Sequence, residues 1–135
     1  GLRGLRLPVI QPGCTHVYYV YPMVLDVART GVTREMIVKA LTAEGVGAVA
    51  AGYCNIHLLP IYQRKIAYGR GCFPWNSPVY KGKVSYAKGI CPVAEKLHDE
   101  TFMEIGMCLY QYTNKEIDLV VRAFRKVWGS LDKLA

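Results

Sequence analysis

No apolar run in this sequence is long enough to cross a bilayer. The opening residues, Gly1-Leu2-Arg3-Gly4-Leu5-Arg6-Leu7-Pro8, lack the apolar centre of a secretory signal. An initiator methionine is missing too, so the start reads as a tag junction or as the middle of a longer parent chain. No CxxC pair exists among Cys14, Cys54, Cys72, Cys91 and Cys108, and zinc sites use tighter ligand spacing. The odd count does not suit a secreted disulfide framework. The cysteines read as reduced, mostly buried thiols of a cytoplasmic protein, although two bridges and one free thiol also fit the count. His16, His57 and His98 form no HxH or HxxxH pair, so no metal site is expected. A GxSxG elbow is absent. No Walker lysine follows a glycine-rich loop, and Gly69-Arg70-Gly71 has no third glycine at dinucleotide spacing. No fingerprint of an RNA- or DNA-binding module is present.

What remains is ordinary globular material. The 135 residues suffice for one domain with one core, and 52% apolar with 20% charged residues excludes intrinsic disorder. The net charge is +7. The basic residues are scattered, with modest clusters at Gln63-Arg64-Lys65 and at Lys81, Lys83 and Lys88. Two readings fit: a solvated basic face, or attraction for a phosphate-bearing ligand.

Residues 1–14 are rich in Gly and Pro and read as an extended lead-in, with one domain over 15–135. The β-branched and aromatic run from Thr15 to Asp26 predicts a strand, and Pro22 within it predicts an edge position or a bulge. Thr33 is a good N-cap for a helix carrying Ile37, Val38, Ala40 and Leu41, with Gly45 as its left-handed terminator. The apolar run from Val46 to Ala51 predicts a second strand. Residues 53–88 are turn-rich and aromatic, with a helical turn near residues 60–67 and a long ordered loop over 69–88. Pro92 suits the first position of a short helix. Thr101 to Leu109 predicts a strand. Thr113 and Glu116 form a capping box ahead of Ile117, Val120, Val121, Phe124, Val127, Trp128 and Leu131, one apolar helical stripe. The expected fold is an α/β (α+β) sandwich. It has a small, mostly antiparallel sheet, helices packed on one face and an amphipathic C-terminal helix.

The segment Gly52-Tyr53-Cys54-Asn55-Ile56-His57-Leu58-Leu59-Pro60-Ile61-Tyr62 holds most of the candidate chemistry. His57 is either a histidine satisfied by a backbone carbonyl or a ligand-binding group. His16 reads as a packed polar residue at a strand start, and His98 as solvent-facing. Cys54 and His57 could pair as thiolate and imidazolium, although such pairs usually come from distant segments. The aromatic loop admits two readings as well. One is an interface or core patch; the other is a platform on which a base or a pyranose stacks.

Several segments, in order, resemble the C-terminal part of the DegT/StrS-type sugar aminotransferases. They are His16-Val17-Tyr18-Tyr19-Val20-Tyr21-Pro22; Thr33-Arg34-Glu35-Met36-Ile37-Val38-Lys39-Ala40-Leu41 with Glu44-Gly45-Val46; Tyr53 to Tyr62; Cys91-Pro92-Val93-Ala94-Glu95-Lys96-Leu97; and Thr113-Asn114-Lys115-Glu116-Ile117 with Val120-Val121 and Phe124-Arg125-Lys126-Val127. The resemblance implies a fold-type I enzyme dependent on pyridoxal 5'-phosphate. It would move an amino group, usually from glutamate, onto a nucleotide-linked keto-sugar for surface polysaccharide, lipopolysaccharide or antibiotic-sugar pathways. Such enzymes are homodimers, with the coenzyme in a large N-terminal domain. The Schiff-base lysine, the aspartate on the pyridine nitrogen and the phosphate cup belong to that domain. The chain therefore resembles the small domain alone and is expected to be inactive by itself, with no coenzyme-binding or catalytic residue of its own. His57, Tyr53 and Asn55 match the loop that approaches the sugar substrate. The alternative is a non-enzymatic α/β module that holds a carbohydrate or a protein with its aromatic loop. Neither reading involves nucleic acid or a membrane.

Overall fold

The computed structural model describes residues 1–69 and 71–135; Arg70, within the Gly69-Arg70-Gly71 motif, lies outside the described residues. The chain forms two compact units. One combines Gly1–Tyr53 with Leu97–Ala135, and the other is Cys54–Lys96.

The first unit is built on a four-stranded antiparallel sheet. Its strands are β1 (Leu5–Arg6), β2 (Tyr21–Leu25), β3 (Val49–Ala51) and β4 (Phe102–Ile105), in the order β1-β2-β4-β3. Met23 faces Met103 across β2 and β4, and Val49 faces Ile105 across β3 and β4. Alternation along the strands sends Met23, Leu25, Met103, Ile105 and Val49 to one side of the sheet. There they meet the helices α2 (Arg34–Ala43) and α5 (Asn114–Trp128), through Ile37, Leu41, Phe124 and Val127. A short helix, α1 (Val27–Thr30), joins β2 to α2.

The helix signals in the sequence act as expected. The Thr33 hydroxyl accepts the Met36 amide at the start of α2. Beyond its end, Gly45 takes φ +92°, which lets the Val46 amide reach back to the Leu41 carbonyl at 3.0 Å. Thr113 and Glu116 cap α5 reciprocally: the Thr113 amide donates to Glu116 Oε2 at 2.7 Å, and the Glu116 amide to Thr113 Oγ1 at 3.3 Å. The apolar stripe of α5 is narrower than its spacing suggests. Val121 is exposed, Ala123 is buried in its place, and Leu131 lies in a following 3-10 turn (Leu131–Lys133).

The strands are shorter than the apolar runs. Only residues 21–25 of the run beginning at Thr15 are paired. Pro22 sits in a central strand, yet β1 reaches only Val24 and Leu25, so no strand flanks Pro22 on that side. A missing amide there removes no bond to β1. Within the stretch read as a lead-in, Leu5 and Arg6 form β1. The Trp128 indole donates to the Arg3 carbonyl at 2.8 Å, tying this segment to α5.

Arg34 is nearly inaccessible at 6% exposure. Its guanidinium donates to the carbonyls of Leu97, His98, Asp99 and Phe102. Those carbonyls belong to a π-helical turn (Leu97–Thr101) and the first residue of β4. Such a turn leaves carbonyls unpaired at its end, and five fixed donors on one planar group can satisfy several of them.

The second unit has little regular structure: a 3-10 turn (Ile56–Leu58), α3 (Pro60–Gln63) and α4 (Pro92–Lys96), joined by the long loop. Its order comes from aromatic packing. Tyr62 lies 5.2 Å from Tyr86 and 6.4 Å from Trp75 between ring centroids. The Trp75 indole donates to the Tyr86 hydroxyl at 3.1 Å. Among the described residues, no helix is long and apolar enough to cross a membrane.

The cysteines correct one expectation. Cys14, Cys54 and Cys108 are exposed and Cys72 and Cys91 half-buried, all as free thiols. They lie on turns and loops rather than on the core faces of helices and strands, so none is enclosed.

Candidate functional site

The candidate site is built within Cys54–Lys96. Leu59 precedes a proline and is extended, with ψ 146°, so the 3-10 turn must end there and α3 must begin at Pro60. The Asn55 carbonyl accepts the Leu58 amide at 2.8 Å and closes the turn. His57 is thus presented from a tight, rigid turn. Its carbonyl is further held by the Gln63 side-chain amide at 2.8 Å. The same amide donates to the Tyr86 carbonyl, joining the turn to the aromatic cluster.

The imidazole of His57 meets a residue that sequence reasoning did not single out. His57 Nε2 lies 2.9 Å from Glu95 Oε1, and the two side chains are only 10% and 9% exposed. Glu95 also accepts the Gly89 amide, 2.8 Å from each carboxylate oxygen, and the Cys91 amide at 3.2 Å. Burial pushes its carboxyl up. The amides of Gly89 and Cys91 and the His57 ring outweigh that and hold it below the ordinary carboxylate value. The one trace of Glu95 in the sequence is that residues 54–96 hold no other acidic residue, a pattern that a solvated glutamate fits equally well.

Asn55 is the second unusual group. It is 7% exposed, and neither Oδ1 nor Nδ2 has a hydrogen-bond partner among the described residues. Buried side-chain amides are normally paired, so one offering both a donor and an acceptor stands out. Of the three residues singled out in the sequence, Asn55 and His57 share one turn. Tyr53 ends the preceding segment of the sheet unit. The residue is 62% exposed, and its amide donates to His98 Nδ1 at 3.1 Å.

The other histidines have local roles. His98 is half-buried rather than solvent-facing, because its ring accepts the Tyr53 amide and its carbonyl the Arg34 guanidinium. His16 is exposed rather than packed at a strand start: it lies in the segment before β2, where its ring stacks on Tyr18 at 4.1 Å. The partner of His57 Nε2 is Glu95, not Cys54. Among the described residues no cluster of His, Cys, Asp or Glu could hold a metal ion.

Charge is unevenly divided. Residues 54–96 contain seven of the seventeen basic residues but one of the ten acidic ones. Arg64, Lys65, Lys81 and Lys83 are exposed there, whereas the one carboxylate is enclosed. The solvent face of this unit is therefore cationic. Tyr68 and Phe73 add an exposed ring pair at 6.3 Å.

No family model matches the chain. It is 28% identical over 73 residues to the spore coat polysaccharide biosynthesis protein SpsC of Bacillus subtilis, across 54% of this chain and 19% of that protein. It is 27% identical over 73 residues to an uncharacterised protein of Methanocaldococcus jannaschii, with the same coverage of 54% and 19%. The chain is thus distantly similar to part of a polysaccharide biosynthesis protein, and the match spans about a fifth of that relative's length.

Proposed function

We propose that this chain is the C-terminal, substrate-facing part of a cytoplasmic sugar aminotransferase of the DegT/StrS type. Its parent would transfer an amino group from glutamate to a nucleotide-linked keto-sugar in polysaccharide, lipopolysaccharide or antibiotic-sugar synthesis, acting as a homodimer. The distant similarity to a polysaccharide biosynthesis protein fits this reading. The observation that carries it is the pairing of a shielded, oriented imidazole with an unpartnered buried amide, His57 and Asn55, in the very loop that resembles the family's substrate loop.

In this reading the chain's own residues bind and orient. Asn55 can both donate to and accept from sugar hydroxyls. His57 supplies a further polar contact from a fixed ring. The exposed lysines and arginines draw in the diphosphate, and the exposed rings offer faces for stacking. Tyr53 borders this loop along the chain. Pyridoxal phosphate would supply the electron sink for amino transfer. The residues described do not fit it. All nine lysines are exposed, whereas a Schiff-base amine needs an enclosed or electrostatically tuned setting. The large N-terminal domain of the parent is the proposed holder of the coenzyme.

The test is kinetic. In the full-length parent, His57→Ala raises KM for the nucleotide sugar or lowers turnover; unchanged kinetics remove His57 from the site. In the chain alone, added pyridoxal phosphate gives no internal-aldimine absorption. An absorption abolished by replacing one lysine overturns the fragment reading.

A further inference from the structure

We propose that Glu95 is the positioning residue of His57, fixing the ring so that Nε2 carries the proton and Nδ1 is the acceptor offered to a ligand hydroxyl. This rests on the reading of His57 as substrate-facing, and extends it to the atom used and the group recognised.

The hydrogen bonds around Glu95 assign the direction. Backbone amides only donate, so Glu95 must accept from Gly89 and Cys91. A carboxylate held ionised by those amides has no proton to give. At the 2.9 Å contact the donor is therefore His57 Nε2. In a neutral imidazole the other nitrogen is then an unprotonated acceptor. Nδ1 has no partner among the described residues. The ring cannot readily reorient, because its side chain is nine-tenths enclosed and its turn is tied by Leu58, Pro60 and Gln63.

The chemistry of the ligand follows. A fixed acceptor at Nδ1 suits a hydroxyl that donates, not a fully ionised phosphate oxygen, which can only accept. Asn55, two residues earlier on the same turn, adds an unpaired donor and an unpaired acceptor. A hydroxyl both donates and accepts, so a polyol face matches this set. The exposed cations elsewhere in the unit suit the phosphates instead. Glu95 also fastens residue 89, near the end of the long loop, to the same imidazole, so ring orientation and loop closure depend on one carboxylate.

The experiment uses this chain labelled with 15N and read by proton–nitrogen correlation of the histidine rings at neutral pH. The expected result is a slowly exchanging, downfield ring proton on His57 Nε2. It is lost in Glu95→Ala and weakened in Glu95→Gln, while the Trp75 indole proton persists in both variants and reports that this unit stays folded. Titration with UDP-glucose moves the Nδ1 resonance, with an apparent affinity about tenfold weaker in Glu95→Gln, the equivalent of one lost charge-assisted hydrogen bond. A wild-type His57 with its proton on Nδ1, or with no protected Nε2 proton, overturns the proposal, and needs no variant to fold. An Nε2 proton that survives in Glu95→Ala overturns it too. A protected Nε2 proton lost with Glu95, beside an Nδ1 that ignores UDP-glucose but a parent enzyme still dependent on His57, upholds the positioning role and removes this sugar as the ligand. If the parent is also indifferent to His57, the functional reading above fails and the ring geometry alone stands.

Discussion

Gly52 and His98 approach so closely that a Cβ built on Gly52 would lie 2.8 Å from the His98 carbonyl oxygen and 3.0 Å from its Nδ1. Gly52 also has φ +68°, and its amide donates to the Phe102 carbonyl at 2.8 Å. Any side chain there meets both backbone strain and a fixed carbonyl. Gly52→Ala is expected to destabilise the sheet unit by about 2 kcal/mol, from the left-handed conformation together with the clash. Urea denaturation followed by far-ultraviolet dichroism checks this, and an unchanged midpoint refutes it.

Arg34 is the second structural point of weakness. Arg34→Met keeps most of the apolar stem but removes the guanidinium bonds to the carbonyls of Leu97, His98, Asp99 and Phe102. A loss of about 3 kcal/mol is expected, because four carbonyls lose charge-assisted hydrogen bonds together. Arg34→Lys restores little of it, since one ammonium cannot reach the same fan of acceptors.

Glu104 sets one pH dependence. It faces away from the core side of the sheet, its Oε2 is shielded without a partner among the described residues, and burial raises its carboxyl above the ordinary value. A raised folded value means stability that is full below the unfolded value and is lost as pH rises through the folded one. Glu104→Gln is therefore expected to raise the melting temperature by a few degrees at neutral pH. The advantage vanishes in acid, where Glu104 is already protonated. Melting curves of both proteins across that range decide it.

Glu95 sets the opposite one. Its folded value is lowered, so its contribution is full above the ordinary carboxylate value and disappears as pH falls through the lowered one. Acid is expected to release Gly89, Cys91 and His57 together. Trp75 fluorescence should report an acid transition in the wild type that is absent from Glu95→Gln.

Helix ends were legible because capping is local. Thr33, Gly45, Thr113 and Glu116 act through atoms within five residues. Strand lengths were less so. Pairing needs a distant partner, and β4 is four residues long whatever apolar residues follow it. The turn bearing His57 was readable from Pro60. Glu95 was not, because the contact that defines it spans 38 positions and a lone glutamate inside a short helix looks like a solvated one. Arg34 escaped notice similarly, as its four carbonyl partners lie more than sixty residues away.

The enclosure of Glu95 has a consequence for ionic strength. With its only carboxylate turned inward, the 54–96 unit shows solvent almost a single sign of charge. Dissolved salt will thin the cloud of anions that this face gathers, slowing their arrival, yet leave the enclosed imidazole and its carboxylate nearly untouched. On the proposed reading, capture and fine recognition can thus be separated by sodium chloride alone.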